Sequence, residues 1–112
     1  MSARLQAWLW LAQRASAAVL GLCVLVHLAT MIYAVRGGLG AAEILGRTKG
    51  NAGWLAFYLV FVLAVAVHVP IGVRAVLVDW TRWRGPSRAV ALWAFAALLA
   101  ALGTRAVLGV FL

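Results

Sequence analysis

Three long apolar runs constrain the fold of this chain more than any other feature of the sequence. They cover residues 15–35, 53–78 and 88–112, and each is about 20 to 25 residues long. A bilayer core about 30 Å thick needs about 20 helical residues, so each run can cross it as one helix. The sequence therefore predicts an all-α membrane protein with three transmembrane helices, forming a single membrane-anchor domain over residues 1–112.

Short polar and glycine-rich segments separate the three runs. Gly37, Gly38 and Gly40 interrupt the chain after the first run, and the segment that follows is predicted to be a loop. The second connection ends at Pro86, and the next residue, Ser87, is the predicted N-cap of the third helix.

The composition excludes a soluble enzyme. Of the 112 residues, 67% are hydrophobic and only 11% are charged, whereas a soluble domain has about 25% charged residues. No stretch of the chain is polar enough to form a separate water-soluble domain. The single cysteine, Cys23, excludes a disulfide within the chain and a CxxC motif, and is predicted to be a small packing residue.

The net charge of +8 points to membrane lipid and not to nucleic acid, because the basic residues flank the apolar runs. Five lie on the N-terminal side of the predicted membrane and three on the other: Arg4, Arg14, Arg82, Arg84 and Arg88 against Arg36, Arg47 and Lys49. The positive-inside rule then places the N-terminus in the cytoplasm, in a multi-pass protein of the cell inner (plasma) membrane. Arg14 and Asp79 are expected to mark the inner ends of the first two spans.

Polar side chains within a span are costly unless they face a partner, so they are functional candidates. They are His27, His68, Arg74 and Arg105. Helical periodicity places small residues on the face of His68, at Ala64, Gly72 and Ala75. Such a slot suits either a neighbouring helix, hydrogen-bonded to the imidazole, or a flat group such as haem, whose iron binds neutral imidazole.

His27 is predicted to be either a second haem ligand or an interhelical hydrogen-bonding residue. At about 1.5 Å per residue, it lies roughly 13 Å from Arg36, whereas His68 lies roughly 22 Å from Gly53 at the same surface. The two axial ligands of one iron must lie at the same depth. We therefore expect the two histidines to bind different haems, each with a second ligand from another chain.

Two segments resemble a known family. The segment 68–79, HVPIGVRAVLVD, is similar to the H-x-x-x-G-x-R-x-x-x-x-D signature in the second helix of the large cytochrome b anchor of succinate dehydrogenase (respiratory complex II). The segment 13–17, QRASA, is similar to the H-R-x-S-G of the first helix. Gln13, Ala17 and Ala75 depart from the family pattern, where histidine, glycine and often histidine stand. The small anchor of the family has a second-helix pattern like that of the large one.

The resemblance implies a haem b-binding anchor of a succinate:quinone or quinol:fumarate oxidoreductase, one part of a multi-subunit helix bundle. Its site residues fall on His68 as haem ligand, on Arg14 and Ser16 near quinone and on Arg74 near the inner surface. His27 is similar to the first-helix histidine of two-haem members. One or two haems b would be shared with a second membrane anchor subunit. FAD and iron–sulfur clusters would be held by a flavoprotein subunit and an iron–sulfur subunit, and the chain alone would catalyse nothing.

Two alternatives stay open on the residues alone. The chain could be a b-type cytochrome subunit of another quinone-linked dehydrogenase, or a haem-free structural membrane subunit. A proton-coupled transporter is disfavoured because neither acidic residue, Glu43 or Asp79, lies in the middle of a span.

Overall fold

The structure, a computed structural model, describes residues 2–112, and within that range the chain is helical and has no strand. The helices are α1 (Ala3–Arg36), α2 (Ala41–Thr48), α3 (Ala52–Trp80) and α4 (Pro86–Phe111). Helices α1, α3 and α4 have 34, 29 and 26 residues and are apolar enough to cross a membrane. The predicted all-α class and the three transmembrane helices are confirmed.

The connection between α1 and α3 differs from the prediction, because it contains the eight-residue helix α2 and is not simply a loop. Glu43 and Arg47 form an ion pair one turn apart on α2, and the Arg47 guanidinium lies 5.2 Å from the centre of the Tyr33 ring on α1. The Thr48 hydroxyl donates to the backbone oxygen of Val110 at 2.9 Å. Helix α2 therefore joins the end of α1 to the end of α4.

Capping groups account for where the helices begin. The side chain of Asn51 accepts a hydrogen bond from the Trp54 N–H at 3.1 Å and caps α3. The predicted cap of α4 was wrong. Gly85 is the N-cap and Pro86 occupies the first turn, where its missing N–H costs nothing. Ser87 lies inside the helix, and its hydroxyl accepts a hydrogen bond from the Trp83 indole at 2.8 Å.

Helix α3 packs against both α1 and α4. On the α1 side, Ser16 contacts His68, and Gln13 lies over Gly72. On the α4 side, a Cβ added to Gly103 would lie 2.7 Å from a methyl carbon of Val62. Real Cβ atoms do not approach so closely, so the absence of a side chain at Gly103 lets α3 and α4 meet.

The chain buries few side chains of its own. Within residues 2–112, the buried apolar residues are small or medium in size: Cys23, Ala34, Ala64, Pro70 and Val107. Large apolar side chains cover the outside, among them Trp93, which is 78% exposed. Such a surface is stable only against lipid or other subunits, because in water it would form a large apolar patch.

Candidate functional site

His68 is held in the middle of α3 by a hydroxyl from α1. The Ser16 Oγ lies 3.4 Å from the His68 Nδ1 and 3.1 Å from the backbone oxygen of Gln13, to which it donates. Ser16 is only 7% exposed. Two of the residues predicted from the sequence, His68 and Ser16, are thus brought into direct contact by the antiparallel packing of α1 and α3.

An apolar groove lies beside the His68 imidazole. It has a volume of about 350 Å³, and its other lining residues all belong to α3: Val69, Gly72, Val73, Val76 and Leu77. Gly72 lies one turn after His68 and leaves the groove without a side chain at that point. Of the three small residues expected to form a slot, Gly72 lines this groove, whereas Ala64 and Ala75 do not.

Arg14 lies near the level of His68. Because Ser16 meets His68, Arg14 is two residues, or about 3 Å along the helix, from the level of that histidine. Asp79 lies eleven residues beyond His68 along α3, which is about 16 Å. Arg14 and Asp79, which the sequence placed at the ends of their spans, are therefore about 13 Å apart along the helix pair. The Arg14 guanidinium is exposed on the chain and lies 5.6 Å from the centre of the Trp10 ring.

Arg74 lies between these two levels. It follows His68 by six residues on α3 and is half-buried, so it is about 9 Å nearer the C-terminal end of that helix. Arg14 and Arg74, the cationic residues of the two sequence motifs, are therefore about 6 Å apart along the α1–α3 pair.

His27 lies in a second environment, about 16 Å along α1 from Ser16. Its Nδ1 is 3.5 Å from the hydroxyl of Tyr58, and its ring meets those of Tyr58 and Phe61 edge to face, with centroids 5.9 and 5.6 Å away. A cavity of about 460 Å³ adjoins it, lined by α3 and α4 residues that include Gly103.

Sequence reasoning missed Tyr58 and the small residues beside His27. A tyrosine six residues into a span is typical of an aromatic belt, and nothing in the sequence distinguishes it from one. The small residues Gly103 and Ala106 lie on α4, so the periodicity of α1 could not reveal them. The two histidines occupy separate cavities at different depths, and they cannot ligate one iron from opposite sides.

The chain has few metal-binding side chains to offer. Among residues 2–112, no three His, Cys, Asp or Glu side chains converge on one point. A metal bound at either histidine would therefore take most of its ligands from outside this chain, as iron does when a macrocycle supplies them.

A family model for the succinate dehydrogenase/fumarate reductase transmembrane subunit matches residues 1–107. The chain belongs to this family. The match covers all three long helices, including α4, for which the sequence motifs gave no signature. No curated protein and no solved structure matches the chain significantly.

Membership of this family makes the chain a multi-pass membrane subunit of a succinate dehydrogenase or fumarate reductase complex, associated with its catalytic subunits. The exposed apolar surface of the transmembrane subunit agrees with that role, since both lipid and neighbouring subunits can cover it.

Proposed function

We propose that this transmembrane subunit is a haem b-binding anchor that passes electrons between an iron–sulfur subunit and membrane quinone. The observation that carries the proposal is the position of His68. A polar imidazole lies inside a membrane-spanning helix, is held on one side by Ser16, and adjoins an apolar groove on the other. Such an arrangement supplies an axial ligand and a dry site of low dielectric constant.

The residues present fit a haem. His68 would ligate it, and the apolar residues of the groove, together with Gly72, would lie against its flat face. When bound, haem supplies reversible one-electron transfer. His27, beside its own cavity, would ligate a second haem b. The groove beside His68 and the cavity beside His27 are both open on the side away from this chain. The second ligand of each haem would therefore come from a second membrane anchor subunit.

Arg14 would bind quinone. It is a cation at the depth of His68 and is exposed on the surface of this chain. A guanidinium at that depth needs a charge or a hydrogen-bond acceptor, which a quinone carbonyl or a haem propionate provides. Arg74, nearer the inner end of α3, would pair with a propionate.

The catalytic chemistry would lie in other subunits. A flavoprotein subunit with FAD would oxidise succinate or reduce fumarate, and an iron–sulfur subunit would carry electrons to the anchor. Both would dock on the side of the membrane that holds the α1 N-terminus and the turn between α3 and α4, where Arg82 and Arg84 lie. The positive-inside rule makes that side cytoplasmic.

Visible spectroscopy of the complex, purified through a tag on this chain, tests the proposal. Succinate should reduce a haem b that dithionite also reduces, and added quinone should reoxidise it. Haem that dithionite reduces and succinate does not would have a midpoint potential too low to accept electrons from succinate, and would contradict the proposed electron transfer through it. A complex without haem would leave the chain a structural anchor.

A further inference from the structure

The Ser16 hydroxyl has one proton, and its surroundings determine where that proton goes. The Oγ lies 3.1 Å from the backbone oxygen of Gln13, which can only accept. The proton is therefore donated within α1, in the back-bonding that serine commonly makes in membrane helices. What the Oγ presents to His68, 3.4 Å away, is a lone pair.

The protonation of His68 follows from that lone pair. To bond with an acceptor, the Nδ1 of the imidazole must carry the proton. A neutral imidazole protonated on Nδ1 has its own lone pair on Nε2. This is the state in which a histidine binds a metal through Nε2, with its Nδ1–H directed to an oxygen.

We infer that Ser16 is a positioning residue for His68: it holds the imidazole as the Nδ1–H tautomer and strengthens Nε2 as an electron donor. This role differs from the one expected from the sequence, in which Ser16 lines the quinone pocket. The inference rests on the proposed function only where it concerns haem, since the tautomer of His68 exists with or without a bound group.

The burial of Ser16 supports this assignment. The residue is 7% exposed, and both of its hydrogen bonds lie in the seam between α1 and α3. One turn away in the same seam, a Cβ at Gly72 would meet the amide nitrogen of Gln13 at 3.5 Å, an ordinary contact distance. A quinone ring has no access to a hydroxyl enclosed in this way, whereas His68 touches it directly.

His27 provides an internal contrast. The hydroxyl of its partner Tyr58 makes no other hydrogen bond among residues 2–112. It can donate to Nδ1 or accept from it, so the tautomer of His27 is not determined by its neighbour. Loss of the Ser16 hydroxyl should therefore have a strong effect on the tautomer of His68.

Nitrogen-15 NMR on the full chain tests the inference without haem. In the His27→Leu background the chain has a single histidine, so ¹⁵N-labelled histidine reports on His68 alone. The Nδ1–H tautomer should dominate in the haem-free chain. Ser16→Ala should shift the population towards the Nε2–H tautomer, and Ser16→Thr, which keeps a hydroxyl, should restore it.

Thr30→Val is the matched control. The Thr30 hydroxyl also back-bonds within α1, to the oxygen of Val26 at 2.8 Å, but it has no hydrogen bond to a histidine. The control should leave the His68 signals unchanged. An unchanged tautomer in Ser16→Ala, or an equal shift in Thr30→Val, would overturn the inference.

A redox titration of the haem-loaded complex gives the second readout. Loss of the hydrogen bond from Nδ1–H weakens Nε2 as a donor to ferric iron, so Ser16→Ala should raise the midpoint potential of the His68 haem. If Ser16→Ala slows quinone reduction but leaves the tautomer of His68 and the haem potential unchanged, Ser16 would act in the quinone pocket and not as a positioning residue for His68. A complex without haem would refute the proposed function, and the tautomer measurement would still decide the role of Ser16.

Discussion

Arg14 on α1 and His68 on α3 lie at nearly the same depth, because Ser16, two residues after Arg14, contacts the His68 imidazole. The cation is therefore about 16 Å inside α1 from its first residue, Ala3. A charge within a span is costly unless it is paired, so we expect Arg14 to face a ligand or a partner subunit in the complex.

Arg14→Ala should lower the rate of quinone reduction by about tenfold or more, because it removes a charge-assisted hydrogen bond of about 1.5–3 kcal/mol. Haem content should stay largely intact, since the ligand is His68. The measurement is succinate:quinone activity with haem per complex. Arg4→Ala, an exposed cation in the first turn of the same helix, is the control and should be neutral. Unchanged quinone kinetics in Arg14→Ala would remove Arg14 from the site.

Gly103→Ala should destabilise the packing of α3 on α4. The new Cβ would lie 2.7 Å from a methyl carbon of Val62, and overpacking of this kind costs about 1–3 kcal/mol. Unfolding of the purified chain in mixed micelles measures the loss. Val62→Ala should restore stability to the double variant, and Gly109→Ala, whose added Cβ meets nothing within 4 Å, should be neutral. Equal effects at positions 103 and 109 would contradict the packing described here.

Thr48→Val should loosen the attachment of α2 to the end of α4. It removes the hydrogen bond from the Thr48 hydroxyl to the Val110 oxygen, at a cost of about 1 kcal/mol. Faster hydrogen exchange in α2 and in the last turn of α4, with α1 unchanged, is the expected result. Exchange that rises uniformly along the chain would indicate global destabilisation instead.

The orientation rests on charge alone and is directly measurable. In a chain whose buried Cys23 is replaced by alanine, Arg84→Cys should be shielded from a membrane-impermeant maleimide in whole cells, and Lys49→Cys should react. Both residues are exposed and lie in connections at opposite ends of the bundle. The reverse pattern of labelling would place the N-terminus outside.

Much of the architecture was predictable because a membrane span has a strong compositional signal. The long apolar runs located α1, α3 and α4, and His68 was conspicuous as a polar residue among them. Helix α2 was missed because its eight residues, which lie between glycines, are fewer than the 11 to 18 over which helical periodicity is usually judged. Ser87 was misplaced because α4 starts at Pro86, two residues before the start predicted from the sequence.

The register between the helices could not be predicted from the sequence. Apolar periodicity shows which face of a helix is buried but not how far one helix slides along another. Span boundaries alone put Arg14 at the end of its span, and only the Ser16–His68 contact shows that it lies near the level of His68. For the same reason the partner of His27, Tyr58, could not be predicted from α1.

The most direct test of the account is the haem content of the purified complex in histidine variants, measured as a reduced-minus-oxidised spectrum and a pyridine haemochrome titration per copy of this chain. His68→Leu should lose a haem b while the complex still assembles, and His27→Leu should lose a different one. Full haem content in His68→Leu would contradict the central claim that His68 is an axial ligand.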